Sequence, residues 1–328
     1  MSYWKGKRVL ITGADGFVGG NLAQELMARS AQVIAIERDG RPTNTLRMLG
    51  IYDRVTVARG DICDLAFMSR VLNEYSVTHC FHLAAQALVG VASAGPLSTF
   101  ETNIRGTYMV LEASRATKGI EGVVVASSDK AYGVHSALPY TEEASLNGLY
   151  PYDASKACTD ILARSYFVTY GLRIAVTRNA NTYGPGDMSF SRIVPDAIRC
   201  ALRGVPLKIR SDGMMERDYL FVQDAVRGYA DIGEALGREE VAGQAFNLGT
   251  ERPVSVLDIC TLIAKLTGSA PPPRVLNVTK YEIPRQYLDA SKARRVLGWR
   301  PEHTLEQGLH KTIEWYRQLL AREPMLFP

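Results

Sequence analysis

The chain has 328 residues, 46% of them hydrophobic and 22% charged, with a formal net charge of +4 at pH 7. At roughly 150 residues per domain this predicts about two domains, or one large α/β unit with a second lobe, and a chain of this size buries about three quarters of its unfolded surface without needing disulfides or metal. The composition excludes disorder, collagen and coiled coil, and so small and scattered a charge leaves no nucleic-acid or membrane footprint.

Met1 to Lys7 leads directly into a first strand, Val9 to Thr12, which leaves no room for a signal peptide. Further β-branched runs follow at Val33 to Glu37, Val55 to Arg59, His79 to Leu83, Val123 to Ser127 and Ile174 to Arg178. Between them, apolar residues recur at helical spacing, as at Val18, Leu22 and Leu26, or Met109, Val110 and Ala113. Strands with continuous apolar character alternating with helices predict a doubly wound parallel α/β sheet covered on both faces. After Arg178 the texture becomes turn-rich and basic. Tyr219 to Val222 and Ala245 to Leu248 then read as a return to the sheet, and the last stretch offers a helix, the connector Pro271 to Pro273 and a closing helix from Leu305. The expected division is a first domain over 1–180 and 219–253, and a smaller, discontinuous C-terminal lobe over 181–218 and 254–328. Cys63, Cys80, Cys158, Cys200 and Cys260 are odd in number, far apart and free of metal-ligand spacing, and read as buried reduced thiols of a cytoplasmic protein. No metal site is expected.

Thr12-Gly13-Ala14-Asp15-Gly16-Phe17-Val18-Gly19 follows the first strand and opens the first helix. Glycines in such a loop allow a tight turn and a close backbone approach to a pyrophosphate, whose charge sits on the helix N-terminus. Glu37 closes the second strand, where a carboxylate can take the adenosine ribose hydroxyls. Arg38 beside it could instead receive a 2′-phosphate, but a carboxylate so placed repels phosphate and favours NAD over NADP. Asp61-Ile62 could hold the adenine edge, or Gly60-Asp61 could be a turn with a helix cap.

Tyr152 and Lys156 lie four apart, on one face of a helix. A neighbouring ammonium and a nicotinamide cation both favour phenolate, so Tyr152 could take the proton of a sugar hydroxyl as hydride leaves the same carbon. A YxxxK pair alone is common on amphipathic helices; the upstream glycine loop and Ser128, just beyond the strand Val123-Val124-Val125, raise its meaning.

The combination of TGADGFVGG, HLAAQ, SSDKAYG, PYDASK, RNANTYGPGD and LDASKARRVLGWRP resembles the extended short-chain dehydrogenases/reductases that act on nucleoside-diphosphate sugars, over essentially the whole chain. The resemblance implies a Rossmann domain with a sugar-nucleotide-binding lobe, and Ser128, Tyr152 and Lys156 as catalytic residues. It implies NAD contacts from Gly13, Asp15, Gly16, Phe17, Val18, Gly19, Glu37, Arg38, Asp61, Ile62, Leu83, Ala84, Ala85 and Asn103, besides Tyr152 and Lys156. Gln86, Ser128, Asn181, Arg217 and Arg285 are implied on the substrate side, with Arg192 and Lys208 as weaker candidates; guanidinium suits a diphosphate. The family usually forms homodimers through sheet-flanking helices.

After the catalytic Ser or Thr, sugar 4-epimerases of this family usually carry small or uncharged residues, whereas 4,6-dehydratases place an acid there. Asp129-Lys130 looks like the pair of the CDP-glucose 4,6-dehydratases. Elimination of water across carbons 5 and 6 needs an acid that keeps its proton for the leaving hydroxyl and a base for carbon 5; the resemblance gives these to Asp129 and Lys130, though the two could form a plain ion pair. Gly90, where a basic residue is expected, and Arg217-Asp218-Tyr219-Leu220-Phe221-Val222 depart from that subgroup, both at substrate contacts. The expectation is an NAD-dependent nucleoside-diphosphate-sugar 4,6-dehydratase. A 4-epimerase, then a 4-keto-sugar reductase, and a non-catalytic NAD-binding sensor from a different class, are the alternatives.

Overall fold

Apolar side chains on both faces of successive strands require cover on both sides, and the computed structural model, which describes residues 2–41, 43–268, 270–278 and 283–326, supplies it. The first half runs β1 (Arg8–Thr12), α1 (Phe17–Ala28), β2 (Gln32–Glu37), α2 (Thr45–Met48), β3 (Thr56–Arg59), α3 (Leu65–Glu74), β4 (His79–His82), α4 (Val89–Ala94), α5 (Pro96–Phe100), α6 (Gly106–Ala116), β5 (Gly122–Ala126), α7 (Pro151–Tyr170) and β6 (Ile174–Asn179). A π-turn, Glu101–Arg105, joins α5 to α6, and a 3₁₀ turn, Asp129–Tyr132, follows β5. The second half adds β7 (Asn181–Tyr183), α8 (Ile193–Arg203), β8 (Lys208–Ile209), β9 (Glu216–Phe221), α9 (Val222–Ala235), β10 (Ala245–Leu248), β11 (Pro253–Ser255), α10 (Val256–Thr267), β12 (Arg274–Val275), β13 (Arg285–Gln286), α11 (Ser291–Leu297) and α12 (Leu305–Arg322).

Among the described residues the main sheet has the order β10-β6-β5-β4-β1-β2-β3, all parallel. Alternation along each strand sends Val9, Ile11, Phe81 and Val124 into one core with Leu22 and Val226 of α1 and α9. Leu10, Ile34, Val123 and Val125 enter the other, with Val71 and Leu111 of α3 and α6. The order reverses between β1 and β4, which opens the crevice beyond the strands' carboxyl ends where α/β sheets take their ligands.

Of the two late strands read from sequence, only β10 joins this sheet. Of the strand predicted at Tyr219 to Val222, Tyr219 to Phe221 close β9, which pairs with β7, β11 and β13 in a smaller sheet, and Val222 opens α9. The chain leaves β6 and turns at once into β7, so β9 finds its parallel partner there; an apolar run alone does not say which sheet it enters. The five cysteines are unpaired, but only Cys80, Cys200 and Cys260 are buried; Cys63 and Cys158 are partly exposed. Among the described residues no helix is long and apolar enough to cross a membrane, and no group of His, Cys, Asp or Glu could hold a metal.

Candidate active site

At the N-terminal side of the crevice, Gly13 has φ +70°, and a Cβ there would lie 2.8 Å from the backbone of Ala84; one on Gly19 would lie 2.1 Å from the Gly13 carbonyl oxygen. Only glycine permits that fold of the loop against α1. The helix starts with Gly16 as its cap, no capping side chain and no acid in its first turn. Its first N–H groups therefore face the crevice without an internal partner, which is the condition for binding an anion.

Thr12 Oγ1 accepts from the N–H groups of Leu83 and Ala84, each at 3.1 Å, and bonds His82 Nδ1 at 2.8 Å. His82 Nε2 reaches Thr107 Oγ1 at 3.0 Å. Burial, helped by Lys156, pushes the imidazole down to about 3 and keeps it neutral. Asn103, in the π-turn, accepts from Gln86 N–H at 2.7 Å and donates to Ser155 Oγ at 2.9 Å, so it ties the loop after β4 to α7. Gln86 itself turns its side chain back, accepting from Leu88 N–H at 2.6 Å.

The carboxylate of Glu37 is buried at the end of β2 and already accepts from Asn44 Nδ2 at 2.8 Å, Tyr52 OH at 3.0 Å and Arg59 Nε at 3.1 Å. Burial pushes it up, but the bonds from Arg59 and Tyr52 prevail and hold it below the usual carboxylate range. Arg38 is exposed and pairs with Asp39 at 2.7 Å. Asp15, in the glycine loop, lies 3.8 Å from Arg41; burial outweighs that charge and raises its pKa. Ile62 is buried, whereas Asp61 is exposed and accepts from Cys63 N–H at 2.8 Å.

At the other side of the crevice, Ser128 caps the 3₁₀ turn. Its hydroxyl accepts from Lys130 N–H at 3.2 Å and donates to Asp129 Oδ1 at 3.0 Å, within hydrogen-bonding reach of the Tyr152 phenol. Asp129 is 2% exposed, and its charge adds to the burial that raises Tyr152, Tyr140, Asp153 and Asp218, so the acid lies in the middle of this buried cluster. Tyr152 is pushed up to about 12 by burial, against the opposing effects of Ser128 and Arg192. The Lys156 ammonium donates to the Ala126 carbonyl oxygen at 2.7 Å, and burial pushes it down to about 8.

Lys130 Nζ donates to Gln286 Oε1, and Gln286 Nε2 donates to the Asp129 carbonyl oxygen at 2.9 Å. Asp153, the residue after Tyr152, is buried; burial raises its carboxyl to about 6, with Lys130 opposing and Asp129 adding. Behind the turn, Arg178 bonds Asp160 twice, at 2.7 and 3.0 Å, and Tyr132 OH at 2.9 Å; Tyr132 donates to Asn247 Oδ1 at 2.7 Å. Asp153, Gln286 and this brace escaped the sequence reading. An acid in a helix's first turn reads as a dipole partner, which hides Asp153, and nothing near Gln286 in the chain marks it.

Of the expected substrate residues, Arg192 lies 5.9 Å from the Phe17 ring and bonds Asp187 at 2.8 Å, and its charge works against the raised pKa of Tyr152. Arg217 pairs in register with Gln286, and exposed Arg285 bonds Glu216 at 2.6 Å. Asn181 is half-buried on β7. Lys208 is exposed on β8, which pairs with β12 outside both larger sheets.

The family described as GDP-mannose 4,6 dehydratase matches residues 10–312. A dTDP-glucose 4,6-dehydratase of Neisseria meningitidis serogroup B is 32% identical over 94% of this chain and 93% of its own length. The structure of a dTDP-glucose 4,6-dehydratase from Streptomyces venezuelae with NAD bound superposes with a TM-score of 0.86 at 29% identity, over 97% of this chain and 99% of that one. The UDP-glucose 4-epimerase of Thermotoga maritima, solved with UDP-glucose, gives 0.87 at 30% identity over 95% and 99%.

Proposed function

Because the chain belongs to the GDP-mannose 4,6-dehydratase family of NAD-dependent nucleotide-sugar dehydratases and epimerases, we propose that it is a 4,6-dehydratase of a nucleoside-diphosphate hexose, of the CDP-glucose kind. One observation carries this choice: Asp129 and Lys130 follow Ser128 on the turn after β5, with the buried acid accepting from the Ser128 hydroxyl that also reaches Tyr152. Inverting carbon 4 needs neither group. Overall similarity does not separate the two activities, since a dehydratase and an epimerase superpose equally well.

The residues fit NAD: an uncapped α1 N-terminus suits its pyrophosphate, and Gly16 puts no side chain in the way. Held there by the loop at Gly13 to Gly19, NAD would supply a hydride acceptor for carbon 4 and a hydride donor for carbon 6, and a cationic nicotinamide beside Tyr152 would work against the burial that raises the phenol. Ser128 and Tyr152 receive the 4-hydroxyl, and Tyr152 takes its proton. Oxidation at carbon 4 acidifies the proton on carbon 5. Lys130 accepts that proton while Asp129 protonates the hydroxyl leaving carbon 6, so one water is lost and the sugar is neither oxidised nor reduced overall. Arg192, Arg217 and Arg285 are the proposed diphosphate contacts, from a lobe that comprises 181–218 and 254–328 together with β9. A homodimer in the cytoplasm belongs to the same reading; exposed Leu97, Ile161 and Val168 on α5 and α7 supply an apolar face for it.

The test is a panel of CDP-, UDP-, dTDP- and GDP-hexoses, scored for a 4-keto product lighter by one water. Asp129→Asn should still exchange hydride at carbon 4 yet lose elimination by at least about 100-fold. Inversion at carbon 4 with no loss of water would establish the epimerase instead.

A further inference from the structure

Gln286 is fully buried, although it sits in a two-residue strand of the smaller sheet whose neighbour Arg285 is exposed. Both ends of its amide serve the turn after β5: the oxygen accepts from Lys130 Nζ and the nitrogen donates to the Asp129 carbonyl. The same residue pairs in register with Arg217 of β9.

We propose that Gln286 is a positioning residue for the elimination step, which aims the Lys130 amine and sets its turn against the sugar-nucleotide lobe. This rests on the dehydratase reading above. A base for carbon 5 must present a lone pair. A neutral amide oxygen takes one N–H of the amine and thereby directs the remaining nitrogen orbital, without adding the negative charge that would favour ammonium. A carboxylate in the same place would orient the nitrogen equally well and keep it protonated. The amide nitrogen holds the peptide between Asp129 and Lys130, so acid and base turn together. The Gln286 amide bonds Lys130 and the Asp129 carbonyl, whereas oxidation at carbon 4 falls to Ser128 and Tyr152, a separate set of groups.

Two variants test this in the full-length enzyme with the nucleotide sugar that the wild type dehydrates. Gln286→Glu keeps the shape and adds charge; Gln286→Met removes the acceptor. Both should oxidise carbon 4 at close to the wild-type rate, seen as near-ultraviolet absorbance of reduced nicotinamide. Wash-in of solvent deuterium at carbon 5 and release of water should slow at least about 100-fold, so that reduced nicotinamide accumulates. Should Gln286→Met fail to fold, Gln286→Glu decides. Elimination at the wild-type rate in a folded variant, or both steps falling in the same proportion, overturns the proposal while the wild type still dehydrates. A wild type that never releases water from any sugar of the panel overturns the dehydratase reading and this proposal with it.

Discussion

Around α1 the loop itself is closed by backbone and near neighbours, with Gly16 N–H bonding the Gly13 carbonyl and Asn44 reaching Glu37 across seven positions, while Thr12 ties it to the adjacent strand at Leu83 and Ala84. The turn at 129–132 depends instead on side chains from far away. Arg178 meets Tyr132 across 46 positions, Asn247 meets it across 115, and Gln286 meets Asp129 across 157. In the first arrangement the most damaging change is a Cβ in the wrong place, at Gly13 or Gly19. The second concentrates fully buried polar groups that must all be satisfied, so losing any partner leaves another stranded.

The hardest blow to the catalytic side is to remove its chemistry while keeping its supports. Tyr152→Phe should lower turnover about 1000-fold with an unchanged urea midpoint; activity within tenfold of wild type would show that the phenol is not the proton acceptor. The supports themselves come next. Asp160→Ala strands the buried Arg178 guanidinium and should cost about 3–5 kcal/mol in urea unfolding, and a loss below 1 kcal/mol would contradict the view of the turn as side-chain-braced.

On the cofactor side the expected effects are smaller. His82 stays neutral when folded down to about 3, against 6.5 when free. Its contribution is therefore complete above pH 6.5 and lost as the pH falls from there toward 3, because only the unfolded chain takes up the proton. Between pH 7 and pH 5 this amounts to about 2 kcal/mol. His82→Gln should lack that part of the slope, while His79, pushed down to about 4 by burial, contributes equally in both proteins; equal slopes would refute the assignment. Least of all, Asn44→Ala removes the cap of α2 and one bond to Glu37, and should cost about 1 kcal/mol by urea unfolding.

The same contrast explains what could be read without coordinates. The strands of the main sheet, the loop at Gly13 to Gly19 and the placement of Ser128, Tyr152 and Lys156 at one crevice follow from local pattern, because backbone geometry leaves a local signature in glycine spacing and apolar periodicity. The pairing of β9 outside the main sheet, the burial of Asp153 and the reach of Gln286 do not. Each is decided by which distant segment arrives next to it, and a single glutamine or an acid in a first helical turn looks alike whether it ends in water or in a core. Lys156 shows the same limit: spacing places it on the same helical face as Tyr152, but only the fold shows its ammonium turned to Ala126.

The braces also set an order of assembly. Residues 8–179 carry six strands of the main sheet, whereas Asn247, Gln286 and the Asp289 carbonyl that accepts from Asn247 come late in the chain. As the polypeptide emerges from the ribosome, the cradle for the nucleotide can close first. The turn that carries the acid and the amine is finished only when nearly nine tenths of the protein has been made, so the two sides of the crevice are completed at different stages of synthesis.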